Sequence, residues 1–180
     1  MQQVKTYGLG GQGVVTASKI LATAISIHEG RFATAIPAYG HERRGAPVFA
    51  DLMADDAPIL VRSFVYEPDY VMVFDLSVID KGVDVTRGAR PDTVFVVNSP
   101  EAPGVLKGRQ VIYADARKVA LEAIGRDVPN SAMLGLFAAT KVVSIDSISK
   151  AIQEAFGAKG GDKNAEAART CYQRAARARS

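Results

Sequence analysis

The 180-residue chain holds a single cysteine, Cys171, and only two histidines, His28 and His41. One thiol makes no internal disulfide and cannot by itself carry an iron–sulfur cluster or a thiolate zinc site. Two imidazoles leave little for a metal centre. No uninterrupted apolar run approaches the ~20 residues of a membrane helix. The opening MQQVKTYGLGG has no apolar signal core either. A large excess of one charge is also missing. Against 22 Lys+Arg stand 19 Asp+Glu, a net charge of +3, too small for a chain that holds nucleic acid by charge alone. No P-loop lysine follows the early glycines, because Val14-Val15-Thr16 fills that place. Gly161-Asp162-Lys163 fails the Gly-Asp-Gly of thiamine-diphosphate sites at its third position. No Ser–His–Asp or Cys–His set can be assembled. The expectation is a cytoplasmic chain with no membrane or nucleic-acid partner and no complete catalytic apparatus of its own.

What is present is enough apolar residue, 48% of the chain with 23% charged, to bury a core. Val4–Tyr7 is a β-prone run ending in the turn Gly8-Leu9-Gly10-Gly11-Gln12-Gly13. Helical spacing follows from Val14 to about His28, stopped by Gly30. Phe32–Ile36 reads as a second strand. Val48–Met53 and Ile59–Val61 read as an antiparallel pair around Asp55-Asp56-Ala57-Pro58. Tyr70–Phe74, Thr93–Val97 and Val111–Tyr113 are continuous apolar runs, the habit of parallel strands covered on both faces. Helices are expected over Ala116–Ile124, Ala132–Thr140 and Ile148–Phe156, with Asn130 and Asp146 as N-caps. Gly157–Gly161 reads as flexible, and Asp162 to about Ala178 as an Ala- and Arg-rich helix. The fold expected is a three-layer α/β/α open sandwich with a mixed, mostly parallel sheet. Residues 1–157 form the body, and residues 158–180 form a basic helical tail of the same domain.

Two loops carry the candidate chemistry. In a strand–GxGxxG–helix arrangement the glycines permit a tight turn and close packing, while the helix N-terminus offers free N–H donors to an anion. A dinucleotide site further demands an acid at the end of the second strand, and Phe32-Ala33-Thr34-Ala35-Ile36-Pro37 has none. The plainer reading is that the glycines only let the first helix pack closely. The second loop, Tyr39-Gly40-His41-Glu42-Arg43-Arg44-Gly45-Ala46-Pro47, should share a sheet edge with the first. Arg43 and Arg44 can fork onto phosphate or carboxylate oxygens, with Glu42 orienting one of them. A solvated Glu–Arg pair is the bland alternative.

Together, Gly8-Leu9-Gly10-Gly11-Gln12-Gly13-Val14-Val15-Thr16-Ala17-Ser18 and Ala38-Tyr39-Gly40-His41-Glu42-Arg43-Arg44-Gly45-Ala46-Pro47 resemble the gamma subunit of 2-oxoacid:acceptor oxidoreductases, the family of pyruvate:ferredoxin oxidoreductase. Pro58-Ile59, Val73-Phe74-Asp75 and Asn130-Ser131-Ala132-Met133-Leu134-Gly135 extend the likeness over nearly the whole chain. Leu9 stands where the family often has Arg, so no charge is assigned to the turn there. The resemblance implies a multisubunit enzyme that oxidatively decarboxylates a 2-oxoacid to its acyl-CoA. Thiamine diphosphate, Mg2+ and [4Fe-4S] clusters would lie in alpha, beta and delta-type companions, and a flavin/NAD subunit could replace ferredoxin as acceptor. This chain would shape the coenzyme A approach or serve as interface, through Gly10, Gly11, Gln12, Gly13, Glu42, Arg43, Arg44 and Asn130. In the interface version Gln12 and Glu42 bond a neighbour's backbone. The competing reading is a free-standing Rossmann-like NAD- or flavin-binding protein.

Overall fold

In the computed structural model, which describes residues 1–38 and 44–179, the continuous apolar runs form the middle of one seven-stranded sheet. Strands β1 (Gln2–Leu9), β4 (Tyr70–Val73), β5 (Val94–Asn98) and β6 (Gln110–Ala114) lie side by side and parallel. On the outer flank of β1 runs β3 (Pro47–Asp55), antiparallel, with β2 (Phe32–Ala38) antiparallel beyond it. At the far edge β7 (Ala176–Arg179) pairs antiparallel with β6. The order is β2-β3-β1-β4-β5-β6-β7. It is the mixed α/β sandwich expected.

The two covers are unequal. One face buries Val4, Leu52, Met72, Val96 and Ile112 beneath α1 (Val14–Thr23), α2 (Ala116–Ile124), α3 (Asn130–Ala138), α4 (Ile145–Phe156) and α5 (Gly161–Gln173). The opposite face buries Tyr7, Val71, Val73, Phe95 and Val97 under the 3-10 helices Leu76–Lys81 and Gly104–Leu106 and their flanking segments. Every residue of α3 is buried, as suits a helix apolar all round at the centre of its layer. Its Gly135 lets α5 approach so closely that a Cβ there would lie 1.9 Å from the Ala168 carbonyl oxygen. Among the described residues no helix is long and apolar enough to cross a membrane.

Several expectations are corrected. Ile59–Val61 is not a strand. Both flanks of β3 are already taken by β1 and β2, so no edge remains for a hairpin partner. The first helix does not run to His28 as a regular α-helix, because Ala24–His28 is a π-helical turn. Asn130 is the first residue of α3 rather than its cap, a place held by Pro129. Helix α4 is capped by Ser144, whose hydroxyl accepts the Ser147 N–H at 3.1 Å. Asp146 instead sits in the first turn and pairs with Arg169 of α5 at 2.9 Å. The glycine-rich Gly157–Lys159 is a 3-10 turn leading into α5.

The C-terminal helix stops at Gln173 and the chain continues as a strand. The alternation Ala176-Arg177-Ala178-Arg179 has the period of a strand. Ala178 accordingly packs on the thinly covered face, while the Arg177 guanidinium donates to the Ala139 carbonyl at 2.6 Å. Helix α5 is integral to the core: Ala165, Ala167, Ala168 and Cys171 are all buried in the helical layer.

Gly135→Ala is expected to lower stability by about 3 kcal/mol, because a backbone carbonyl blocks the new methyl group and two buried helices must separate. Chemical denaturation of the purified chain measures it.

Candidate functional site

β1 ends in the middle of the sheet, so the turn that follows opens on the edge formed by the carboxyl ends of the parallel strands, where open α/β sheets place their ligand sites. Gly10 N–H donates to the Ala46 carbonyl at 2.8 Å, and Gly45 N–H returns to the Gly10 carbonyl at 3.1 Å. The end of the charged loop is thus stitched to the glycine turn by backbone alone. Arg44 is exposed and lies across Gly11, its Cγ 3.6 Å from the position of a Cβ there.

Gly13 takes the left-handed conformation, φ 77°, and enters α1 without a side-chain cap or an acid in the first turn. A Cβ at Gly13 would stand 2.7 Å from Asn130 Nδ2 and 2.9 Å from Asn130 Cβ. Both the bend and the contact therefore require glycine. Asn130 opens α3, which also lacks a side-chain cap and a first-turn acid. The N-termini of α1 and α3 thus adjoin at the Gly13–Asn130 contact, with Arg44 across neighbouring Gly11, and the two helix dipoles add positive potential there. Asn130 is buried, its Oδ1 accepting the Ser131 N–H at 2.8 Å, and Ser131 donates to Asn164 Oδ1 at 2.7 Å.

The structure brings Gly10, Gly11, Gln12, Gly13, Arg44 and Asn130 together. Glu42, Arg43 and the preceding Tyr39–His41 lie outside the described residues. Gln12, which the interface version has bonding a neighbour's backbone, makes two bonds within the chain. Its Oε1 accepts the Leu9 N–H at 2.8 Å and its Nε2 donates to Asp75 Oδ2 at 2.8 Å, so both ends of the amide are engaged within the chain.

Asp75 is the residue at this edge whose part the sequence reading missed. It follows β4 and caps the 3-10 helix Leu76–Lys81, Oδ1 accepting the Ser77 N–H at 2.9 Å. Burial pushes its carboxyl up. Hydrogen bonds from Ser77 and Gln12, with the Arg117 charge, outweigh that and hold it below the ordinary carboxylate value. Asn98, at the end of β5, continues the row. Its Nδ2 donates to the Phe74 carbonyl at 2.9 Å and its Oδ1 accepts the Arg117 N–H at 3.2 Å. The signal available was position: a polar residue closing each apolar strand.

These contacts argue against a dinucleotide site. In the dinucleotide fold the strand after the first helix neighbours β1 and ends in a ribose-binding acid. Here antiparallel β3 separates β2 from β1, and β2 contains no acid. On the far side of the turn the anionic Asp75 adjoins Gln12.

A family model described as pyruvate ferredoxin/flavodoxin oxidoreductase matches residues 3–174. The chain belongs to that family. Pyruvate synthase subunit PorC of Methanothermobacter thermautotrophicus is 47% identical over 176 residues, covering 96% of this chain and 95% of that protein. The Pyrococcus furiosus protein named pyruvate/ketoisovalerate oxidoreductases common subunit gamma is 41% identical over 181 residues, covering 97% of each. The crystal structure of pyruvate oxidoreductase subunit PORC from Thermotoga maritima superposes with a TM-score of 0.85 at 29% identity, over 98% of both chains. Within the pyruvate ferredoxin/flavodoxin oxidoreductase family the chain is thus of the gamma-subunit type, and the resemblance read from the glycine turn and charged loop is upheld.

Asp75 gives the edge a pH signature. Its folded-state pKa lies below the unfolded value of 3.8, so its contribution to stability is complete above that value and lost as pH falls through the folded pKa. Asp75→Asn is expected to be less stable than the parent at pH 7. The two stability curves should converge in strong acid, as followed by denaturation across pH.

Proposed function

We propose that this chain is the gamma subunit of a cytoplasmic, multisubunit 2-oxoacid:acceptor oxidoreductase and that its glycine-turn edge receives anionic groups of coenzyme A. The overall reaction converts a 2-oxoacid and coenzyme A to acyl-CoA and CO2, releasing two electrons and a proton, with the electrons passing to a ferredoxin-type acceptor. Thiamine diphosphate with Mg2+ supplies the decarboxylating chemistry and [4Fe-4S] clusters the electron path, in alpha, beta and delta-type companions.

This chain's own donors do not fit those groups. Cys171 is fully buried, and burial pushes its thiol up to about 12, so it is no thiolate ligand. Among the described residues no three His, Cys, Asp or Glu side chains cluster closely enough to hold a metal ion. What the chain does offer suits an anion. The carrying observation is the junction of the α1 and α3 N-termini at the Gly13–Asn130 contact, with the exposed Arg44 side chain across the adjacent Gly11, held by the Gly10–Ala46 and Gly45–Gly10 hydrogen bonds. Such a site binds and orients a phosphate or a carboxylate without performing bond chemistry.

Choice of 2-oxoacid lies elsewhere in this reading. The Pyrococcus relative is named as common to pyruvate and ketoisovalerate oxidoreductases, so a gamma chain of this type is compatible with more than one 2-oxoacid.

In the assembled enzyme, Arg44→Ala is expected to raise the KM for coenzyme A about tenfold, the equivalent of one charge-assisted contact. The KM for the 2-oxoacid and the subunit composition should stay unchanged. An unaltered coenzyme A KM in an intact complex defeats the anion-site reading. Loss of assembly defeats it in favour of a purely structural edge.

A further inference from the structure

The segment Pro58–Glu67, between β3 and β4, has no regular secondary structure and carries an unusual load of exposed apolar surface. Leu60 is 92% exposed, Val61 59%, Phe64 51% and Tyr66 75%. It has no way back into the sheet, since β3 is paired on both flanks.

Nor is it loosely attached. Val65 is buried, and both of its backbone groups are gripped by the ion pair of part-buried Lys5 with buried Asp51. Lys5 Nζ donates to the Val65 carbonyl at 2.8 Å, Val65 N–H donates to Asp51 Oδ2 at 2.8 Å, and Lys5 Nζ stands 3.3 Å from both Asp51 oxygens. This clamp holds Phe64 and Tyr66 in water on either side of Val65, an ordering cost met before any partner arrives.

Beneath them lies a cleft of about 520 Å³ on the thinly covered face, floored by Tyr7 and Phe49 and bounded by Asp84 and Arg87. The Tyr7 phenol makes no hydrogen bond to any described residue. Burial and the Asp51 and Asp84 charges push its pKa up to about 12, so it stays protonated and a donor. The guanidiniums of Arg87 beside the cleft and Arg62 on the strap are both exposed and make no hydrogen bond or close ion pair with a described residue, though the Arg87 charge is felt at neighbouring Asp84 and Tyr7. Unpartnered donors next to large apolar side chains call for a partner that brings an apolar group together with a carboxylate. A small ligand in the cleft would leave Leu60 and Val61, which do not line it, in water. A polypeptide covers both.

We propose that the strap Leu60–Tyr66 and the cleft below it are a docking surface for a companion-subunit segment whose apolar side chain, flanked by Asp or Glu, enters between Phe64, Tyr66 and Arg87. The inference rests on the multisubunit reading above, but it concerns a different face from the glycine-turn edge.

The test uses the chain assembled with its companions, carrying photoreactive benzoylphenylalanine in place of Phe64 or Leu60. Both positions are expected to cross-link, on mapping by mass spectrometry, to one companion segment with an apolar residue beside an acid. Cross-links to a second copy of this chain, or none in the intact complex, overturn the docking surface and leave the subunit reading standing. A parent chain that enters no complex overturns both. Independently, Arg62→Glu with Arg87→Glu is expected to weaken association at least about tenfold at low salt with an unchanged Tm. Unaltered association overturns the assigned charge complementarity.

Discussion

A single side-chain amide ties the glycine-turn edge of the sheet together. Gln12 reaches back to the Leu9 N–H and across to the Asp75 carboxylate, so the end of β1 and the end of β4 share one fixed link. It braces the entry to the glycine turn and, after Ser77 and together with Arg117, helps hold the Asp75 carboxyl below its ordinary value. The link also explains why a phosphate-type turn here need not cradle a pyrophosphate. One side of the turn is closed by an amide and an acid, while the other is left to Arg44, Gly13 and Asn130.

The sheet's two covers divide the work of the molecule. The helical layer is deep and closely fitted, with α3 buried all round and Gly135 set against the α5 backbone. Core packing of this kind tolerates little change in volume. The opposite face is covered by short 3-10 turns and irregular chain. That face has room for the cleft and for a strap anchored by Lys5 and Asp51. A buried ion pair is a poor source of net stability but strongly penalises loss of either partner, which suits it to fixing a position. Asp51 is 3% exposed, and it meets both Lys5 and the Val65 N–H.

Much of the architecture was legible in the sequence because burial on both faces leaves a plain mark. Tyr70–Phe74, Thr93–Val97 and Val111–Tyr113 are nearly unbroken apolar runs, and all three fall in interior strands of the sheet. The glycine turn and Arg44 were legible for another reason: each motif demands its residues locally. What escaped depends on pairings that no local pattern encodes. Gln12 and Asp75 are 63 positions apart. Ile59–Val61 has strand composition but no free strand to join. Ala176–Arg179 alternates with strand period, yet its alanines and arginines favour helix, and the open edge of β6 decided the outcome. Asp51 did leave a trace, as a charge set among the apolar residues in the middle of β3.

The buried thiol of Cys171 has a practical consequence. Enclosed at 0% exposure between α5 and the rest of the helical layer and kept protonated, it is shielded from alkylating and oxidising reagents while that layer is closed. Its rate of modification therefore measures how often α5 lifts away, making the chain's lone sulfhydryl a native gauge of local opening.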